Sequence, residues 1–205
     1  HSEIYSTHVP EQPYLVPDYV KAGYTAAVEL MISGAEQIRY VAMAHSPFEL
    51  LLERGCADAV AEHDKGYDPE MDRIAFPSGY FAAQRGDVER AERKIDALLG
   101  RAVERAGGRL GLFCRTAQLA RGMRDSAGRL GLSVPRDVAI VAFDFSPPAK
   151  GGVIDTVYVD RMAMLERTID IVAATTWSPV RELVAPTLAR KGSARPAGRT
   201  RPAKK

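Results

Sequence analysis

Two periods organise the apolar residues of this chain. From Asp18 onward, Ala22, Ala26, Ala27, Leu30 and Met31 recur at three- and four-residue steps, the spacing of one helical face. Asp18 can cap that helix and Ser33-Gly34 closes it. A short apolar run from Ile38 to Ala44 then predicts a strand, broken at His45-Ser46-Pro47. Helical period returns from Phe48 to Glu62, and a shorter strand over Asp72–Phe76 stops at Pro77-Ser78-Gly79. The longest helix is predicted over Gly86–Glu104, with Val88, Ile95, Leu98, Leu99 and Val103 inward. Leu110–Cys114 is apolar without alternation, as suits a strand buried on both faces. Thr116 can cap a helix whose inner face is Leu119, Ala120, Met123, Ala127 and Leu130. Gly131 ends it, Val134-Pro135 prevents its resumption, and Val138–Phe143 is a second buried strand that stops at Asp144.

Strand and helix thus alternate four times between residues 18 and 145, which predicts an α/β fold with a doubly wound parallel sheet and right-handed crossovers. Ser146–Gly152, with two prolines and two glycines, is expected to be a linker crossing to a second lobe. Beyond it come a strand over Val153–Val159 and a helix from Asp160 to Ala174 carrying Met164, Leu165, Ile169 and Val172. Leu183–Leu188 is a last short strand, and Pro186 inside it makes it an edge or a crossing segment. Residues 1–17, with Pro10, Pro13 and Pro17, are expected to be an extended entry, and no internal repeat is present.

Composition narrows the class. With 46% apolar and 26% charged residues over 205 positions, the chain can bury one sizeable α/β domain or two small lobes. Cys56 and Cys114 have neither disulfide nor metal-ligand spacing, and their apolar surroundings suit buried reduced thiols. No apolar run approaches the ~18 residues of a membrane span and nothing resembles a signal peptide, so the cytoplasm is the expected compartment and no membrane partner is expected. The net charge of +2 conceals seven basic and no acidic residues from Arg190 onward. The body before them is therefore acidic, at about −5, which is not a nucleic-acid surface. The tail itself, from Arg190 to Lys205, is proline- and arginine-rich and expected to be disordered.

The string GLSVPRDVAIVAFDF, residues 131–145, resembles the Gly-Leu-x-Val-Pro-x-Asp-Val-x-Val-x-Gly-Phe-Asp segment of the lactose-repressor/galactose-repressor (LacI/GalR) family of transcription regulators. PDYVKAGYTAAVELMISGAEQIRYVAM is similar to the family's Asp-x-x-x-Ala/Gly…Leu-x-x-x-Gly-His-x-x-Ile block, with Ala35 in place of the His. Gly55–Val60 and LVAPTLARKGS follow in the family's order. The resemblance implies the family's effector-binding core, of the type I periplasmic-binding-protein fold. One lobe (18–145) would be nearly complete and the second partial, with 153–178 contributing to it and a closing strand over 179–189. The start of the second lobe and a DNA-reading helix-turn-helix would lie upstream of His1, outside this chain.

Ligands of open α/β sheets bind beyond the carboxyl ends of the strands, where helix direction switches. That rule selects His45, Ser46 and Phe48 after the first strand of the sheet and Ser78 and Tyr80 after the second. It selects Arg115 and Thr116 after the third and Asp144 and Phe145 after the fourth. These residue types suit a small polar ligand: a carboxylate accepts from hydroxyls, an aromatic ring stacks on a sugar face, a guanidinium holds an anion. By the resemblance, Asp144 matches the strand-end Asp that accepts from effector hydroxyls, and Tyr80 the aromatic near the second strand end. The family's Arg before the Gly-aromatic pair falls at Leu52, and its Asn-Asp pair at Thr116-Ala117, so those contacts are absent.

No nucleophile elbow, phosphate-binding loop or paired His/Glu metal spacing is present, so neither catalysis, metal nor cofactor is expected. The reading is a non-enzymatic sensor core of a LacI/GalR-like regulator. It would bind a small polar, sugar-like effector between two lobes, form a homodimer, and reach DNA through the upstream helix-turn-helix. A solute-binding protein of the same fold and a Rossmann-type enzyme are the alternatives.

Overall fold

The computed structural model describes residues 14–42, 47–63, 66–68, 72–76, 85–174 and 180–195. In chain order the elements are β1 (Tyr14–Pro17), α1 (Tyr19–Ile32), β2 (Gln37–Ala42), α2 (Pro47–Glu62), β3 (Arg73–Ala75), α3 (Arg85–Ala106) and β4 (Leu110–Cys114). They continue with α4 (Ala117–Arg129), β5 (Val138–Asp144), β6 (Asp155–Tyr158), α5 (Arg161–Ala173), β7 (Arg181–Val184) and β8 (Thr187–Ala189). The local chemistry sets the helix starts. Asp18 accepts from the amide of Lys21 at 2.9 Å, Thr116 from that of Leu119 at 3.1 Å, and Asp160 from that of Met162 at 2.9 Å.

Six strands form one sheet in the order β3-β2-β4-β5-β6-β8, parallel except for β8, which runs antiparallel to β6. α1 and α2 cover one face, burying Ala26, Leu30, Leu52 and Cys56 against Tyr40, Phe113, Val141 and Phe143. α3 and α4 cover the other, with Ile95, Leu99, Leu119 and Met123 on Leu110, Leu112, Ile140 and Ala142. Every residue of β4 is buried, as its unbroken apolar run requires. Both cysteines lie buried as free thiols, one under each helical layer, and burial pushes their thiols up in pKa.

Three expectations are corrected. The Ser146–Gly152 segment is not a crossing: β6 pairs in parallel with β5, Val141 opposite Asp155 through Asp144 opposite Tyr158. Ile154 and Val157 continue the two buried faces of the sheet, so this strand belongs to the main lobe. The chain leaves the main sheet instead after Val159, and returns between β7 and β8. Leu183–Leu188 is accordingly two strands. β7 pairs in parallel with β1 in a separate two-stranded sheet, and β8 pairs with β6. Pro186, which has no N–H to give a ladder, stands at the break.

The third correction concerns the tail, whose first six residues are held. Ser193 and Ala194 are buried, the Ser193 hydroxyl donates to the Ile140 carbonyl at 2.6 Å, and the amide of Ile140 donates to the Ser193 carbonyl at 2.9 Å. Arg190 and Arg195 both pair with the buried carboxylate of Glu29. Residues 196–205 lie outside the described residues.

α5 meets this core in its first turn, where Met164 packs against it. None of its residues is buried, and Met162, Leu165, Ile169 and Val172 form a stripe that is 50–76% exposed. Leaving such side chains wet forfeits about 1.5–3 kcal/mol each. In amide hydrogen exchange on the 205-residue chain, β6 should therefore be protected like β4 and β5 while α5 exchanges within a small fraction of that time. Equal protection of α5 and β6 would contradict this placement.

Candidate functional site at the carboxyl edge of the sheet

β2 leads into α2 on one face of the sheet, whereas its neighbour β4 leads into α4 on the other. The carboxyl ends of these two strands are the point where helix direction switches. Arg115, the first residue beyond β4, is tied to β2 by a bond from its amide to the Val41 carbonyl at 3.0 Å. Its guanidinium lies 4.4 Å over the centre of the Phe48 ring, and its Nε stands 3.0 Å from Oε1 of Glu49. The Glu49 carboxylate is 1% exposed, in the first turn of α2. Arg115 is thus not a free anion hook, because its charge is answered from within the chain. Tyr40 is fully buried in the same layer; burial first, and Glu49 second, pushes its phenol far up in pKa, so the ring stays neutral.

Thr116 spends its hydroxyl on the α4 cap. Asp144, at the end of β5, is half-buried, and its carboxylate accepts from the adjacent amide of Phe145 at 2.7 Å. It lines a cavity of about 350 Å³ together with Ala117, Arg121, Thr156 and the loop from Ser146 to Val153. Among the described residues Asp144 has no cationic partner. The carboxyl edge therefore brings Phe48, Arg115, Thr116 and Asp144 onto the ends of neighbouring elements. His45, Ser46, Ser78 and Tyr80 lie outside the described residues.

Sequence reasoning missed three participants. Tyr19 packs its ring 5.6 Å from Phe48 and 5.8 Å from Phe143, and Phe143 meets Phe145 edge-on at 5.2 Å. This aromatic floor ends under Arg161, whose guanidinium is 5.0 Å above Phe145 at the start of α5. Glu49 is the third. Tyr19 and Arg161 each follow the capping Asp of a helix that starts at this edge, and that adjacency was the available signal. Glu49 carried none, since an acid in a first helical turn is ordinary.

Among the described residues no group of His, Cys, Asp and Glu side chains could hold a metal ion, and no helix is long and apolar enough to cross a membrane.

Neither a protein-family model nor a curated protein matches this chain. Solved structures do. The chain is similar to a sugar-binding LacI-family transcriptional regulator from Escherichia coli in complex with phosphate, with TM-score 0.65 and 19% identity over 86% of this chain and 61% of that one. It is similar to the transcriptional regulator CelR in complex with cellobiose, with TM-score 0.68 and 19% identity over 91% and 56%. A third is the transcription regulator CcpA of Lactococcus lactis, with TM-score 0.64 and 19% identity over 88% and 64%. These neighbours are transcriptional regulators, and the chain spans about three fifths of their length. This chain has a mostly parallel α/β fold like that of the periplasmic-binding-protein-like effector domains of LacI-family regulators.

Proposed function

We propose that this chain is the ligand-sensing core of a LacI/GalR-like transcription regulator, taking a small polar, sugar-like effector between its two lobes. The observation that carries this reading is the row of Phe48, Arg115 and Asp144 along one carboxyl edge, on the side where the chain leaves the six-stranded sheet for α5 and the separate β1–β7 pair. A sugar needs both kinds of group: oxygen acceptors and donors for its hydroxyls, and flat apolar surface for its ring. The cellobiose complex of the similarly folded CelR supports the same ligand class. The wet stripe of α5 and the two-stranded β1–β7 sheet are the parts of the second lobe carried here. Further strands on that sheet would give the stripe a surface to bury. DNA contact would come from a separate helix-turn-helix, in a cytoplasmic homodimer. The effector would act by closing the lobes, and could shift that equilibrium only by its differential affinity for the closed state.

A thermal-shift panel of neutral mono- and disaccharides on the full-length protein tests the reading. At least one should raise the melting temperature, with a saturable response. Asp144→Ala should weaken that ligand tenfold or more and leave the unliganded melting temperature unchanged. A panel without any stabilising sugar, or a hit indifferent to Asp144→Ala, would sink the proposal.

A further inference from the structure

We propose that Glu49 sets the chemistry of the ligand at this edge: by compensating Arg115, it makes the site accept neutral oxygen acceptors and reject anions. This rests on the sensor reading above and adds a specificity determinant to it. Arg115 is held from two directions. Its Nε faces Glu49 at 3.0 Å and one face of its guanidinium lies over Phe48 at 4.4 Å. Neither Nη group donates a hydrogen bond to a described residue, and the side chain is 23% exposed. What remains open is a pre-positioned pair of N–H donors on a flat cation.

A guanidinium fork of this kind ordinarily takes carboxylate or phosphate in a bidentate grip. Here the counter-charge is already present and cannot leave, because Glu49 is 1% exposed on a helix packed against the sheet. An anion reaching the Nη groups would come within a few ångströms of that carboxylate, in a partly desolvated setting where like charges repel strongly. A hydroxyl or carbonyl oxygen meets no such repulsion and still receives hydrogen bonds from a charged donor. The Glu49–Arg115 pair therefore behaves as a neutral plate with two donors, selective for uncharged ligands. Glu49 touches no ligand in this scheme. It is a positioning residue that also filters charge.

Glu49→Gln is the informative substitution, since it keeps an acceptor for Nε and removes only the charge. Inorganic phosphate would be titrated into wild type and variant, following the Arg115 Nε–H and the amides of Arg115 and Thr116 by NMR. Phosphate should bind the variant at least tenfold more tightly than wild type, and Glu49→Gln/Arg115→Met should abolish the gain. Equal phosphate affinity at Arg115 in wild type and Glu49→Gln would overturn the inference. Should the variant fail to fold, wild type alone decides. Its Arg115 Nε–H should exchange slowly and carry an upfield ring shift from Phe48, and millimolar phosphate should leave it unmoved. A fast-exchanging Nε–H, or one that phosphate perturbs, is the contrary result. Failure of every neutral sugar in the thermal panel would count against the sensor reading, whereas the phosphate contrast judges Glu49 by itself.

Discussion

Alanine at Gly23 or Gly55 is expected to destabilise the main lobe by about 3 kcal/mol or more. A Cβ on Gly23 would stand 1.9 Å from the carbonyl oxygen of Leu52, and one on Gly55 would stand 1.9 Å from that of Val20. Both obstacles are backbone, so no rotamer change relieves them, and α1 and α2 would have to separate by about 1 Å at their closest approach. That gap would loosen Ala22, Ala26, Ala27, Leu52 and Cys56, all of which are fully buried in this layer. Gly100 and Gly128 are the controls: each lies inside a helix with open space where a Cβ would be. Alanine there should stabilise by about 0.5–1 kcal/mol through helix propensity. Urea unfolding separates the cases. Gly23→Ala and Gly55→Ala within 0.5 kcal/mol of wild type would mean that the helices do not cross this closely.

The second large effect is expected at Asp155, whose carboxylate is 1% exposed and accepts from the amides of Lys191, Gly192 and Ala194. Its own amide donates to the Ser193 hydroxyl at 2.7 Å. Arg109 closes the same region by donating to the carbonyls of Ser33, Pro135 and Ala194. Asp155→Ala would leave these amides without an acceptor in a buried setting, at a cost of about 3–5 kcal/mol. Truncation after Ala189 should be comparably damaging, because it also leaves Glu29 buried without Arg190 and Arg195. Truncation after Arg195 should change stability by less than about 0.5 kcal/mol. If the two truncations unfold at the same denaturant concentration, residues 190–195 contribute nothing to the fold.

What was legible in the sequence follows from how local each signal is. The buried strand Leu110–Cys114 is found at its predicted bounds, and Asp18 and Thr116 cap helices as predicted, because periodicity and capping act within a few residues. The Ser146–Gly152 loop was misjudged because proline and glycine mark a break in structure without saying where the next strand pairs. Composition made the tail from Arg190 look disordered, but its acceptors Glu29 and Asp155 lie 161 and 36 or more residues away. At the carboxyl edge, the position of Asp144 at a strand end was legible from its place directly after a buried apolar run. The grip of Glu49 on Arg115 was not, since it joins the first turn of α2 to the end of a strand on the far side of β3 and α3 in sequence. Pairings of that range are decided by the sheet order, which no local pattern encodes.

The most direct measurement is an amide chemical-shift map of the full-length protein with the best sugar from the thermal panel. Shifts should concentrate at the carboxyl edge, on Phe48, Arg115, Thr116, Asp144 and Phe145, and extend to Arg161 at the start of α5 as the lobes close. The opposite end of the sheet offers a cavity of about 340 Å³ lined by Glu36, Gln37, Arg39 and Asp72. Shifts centred there, with Arg115 and Asp144 unmoved, would contradict a sensor that reads its ligand between two lobes.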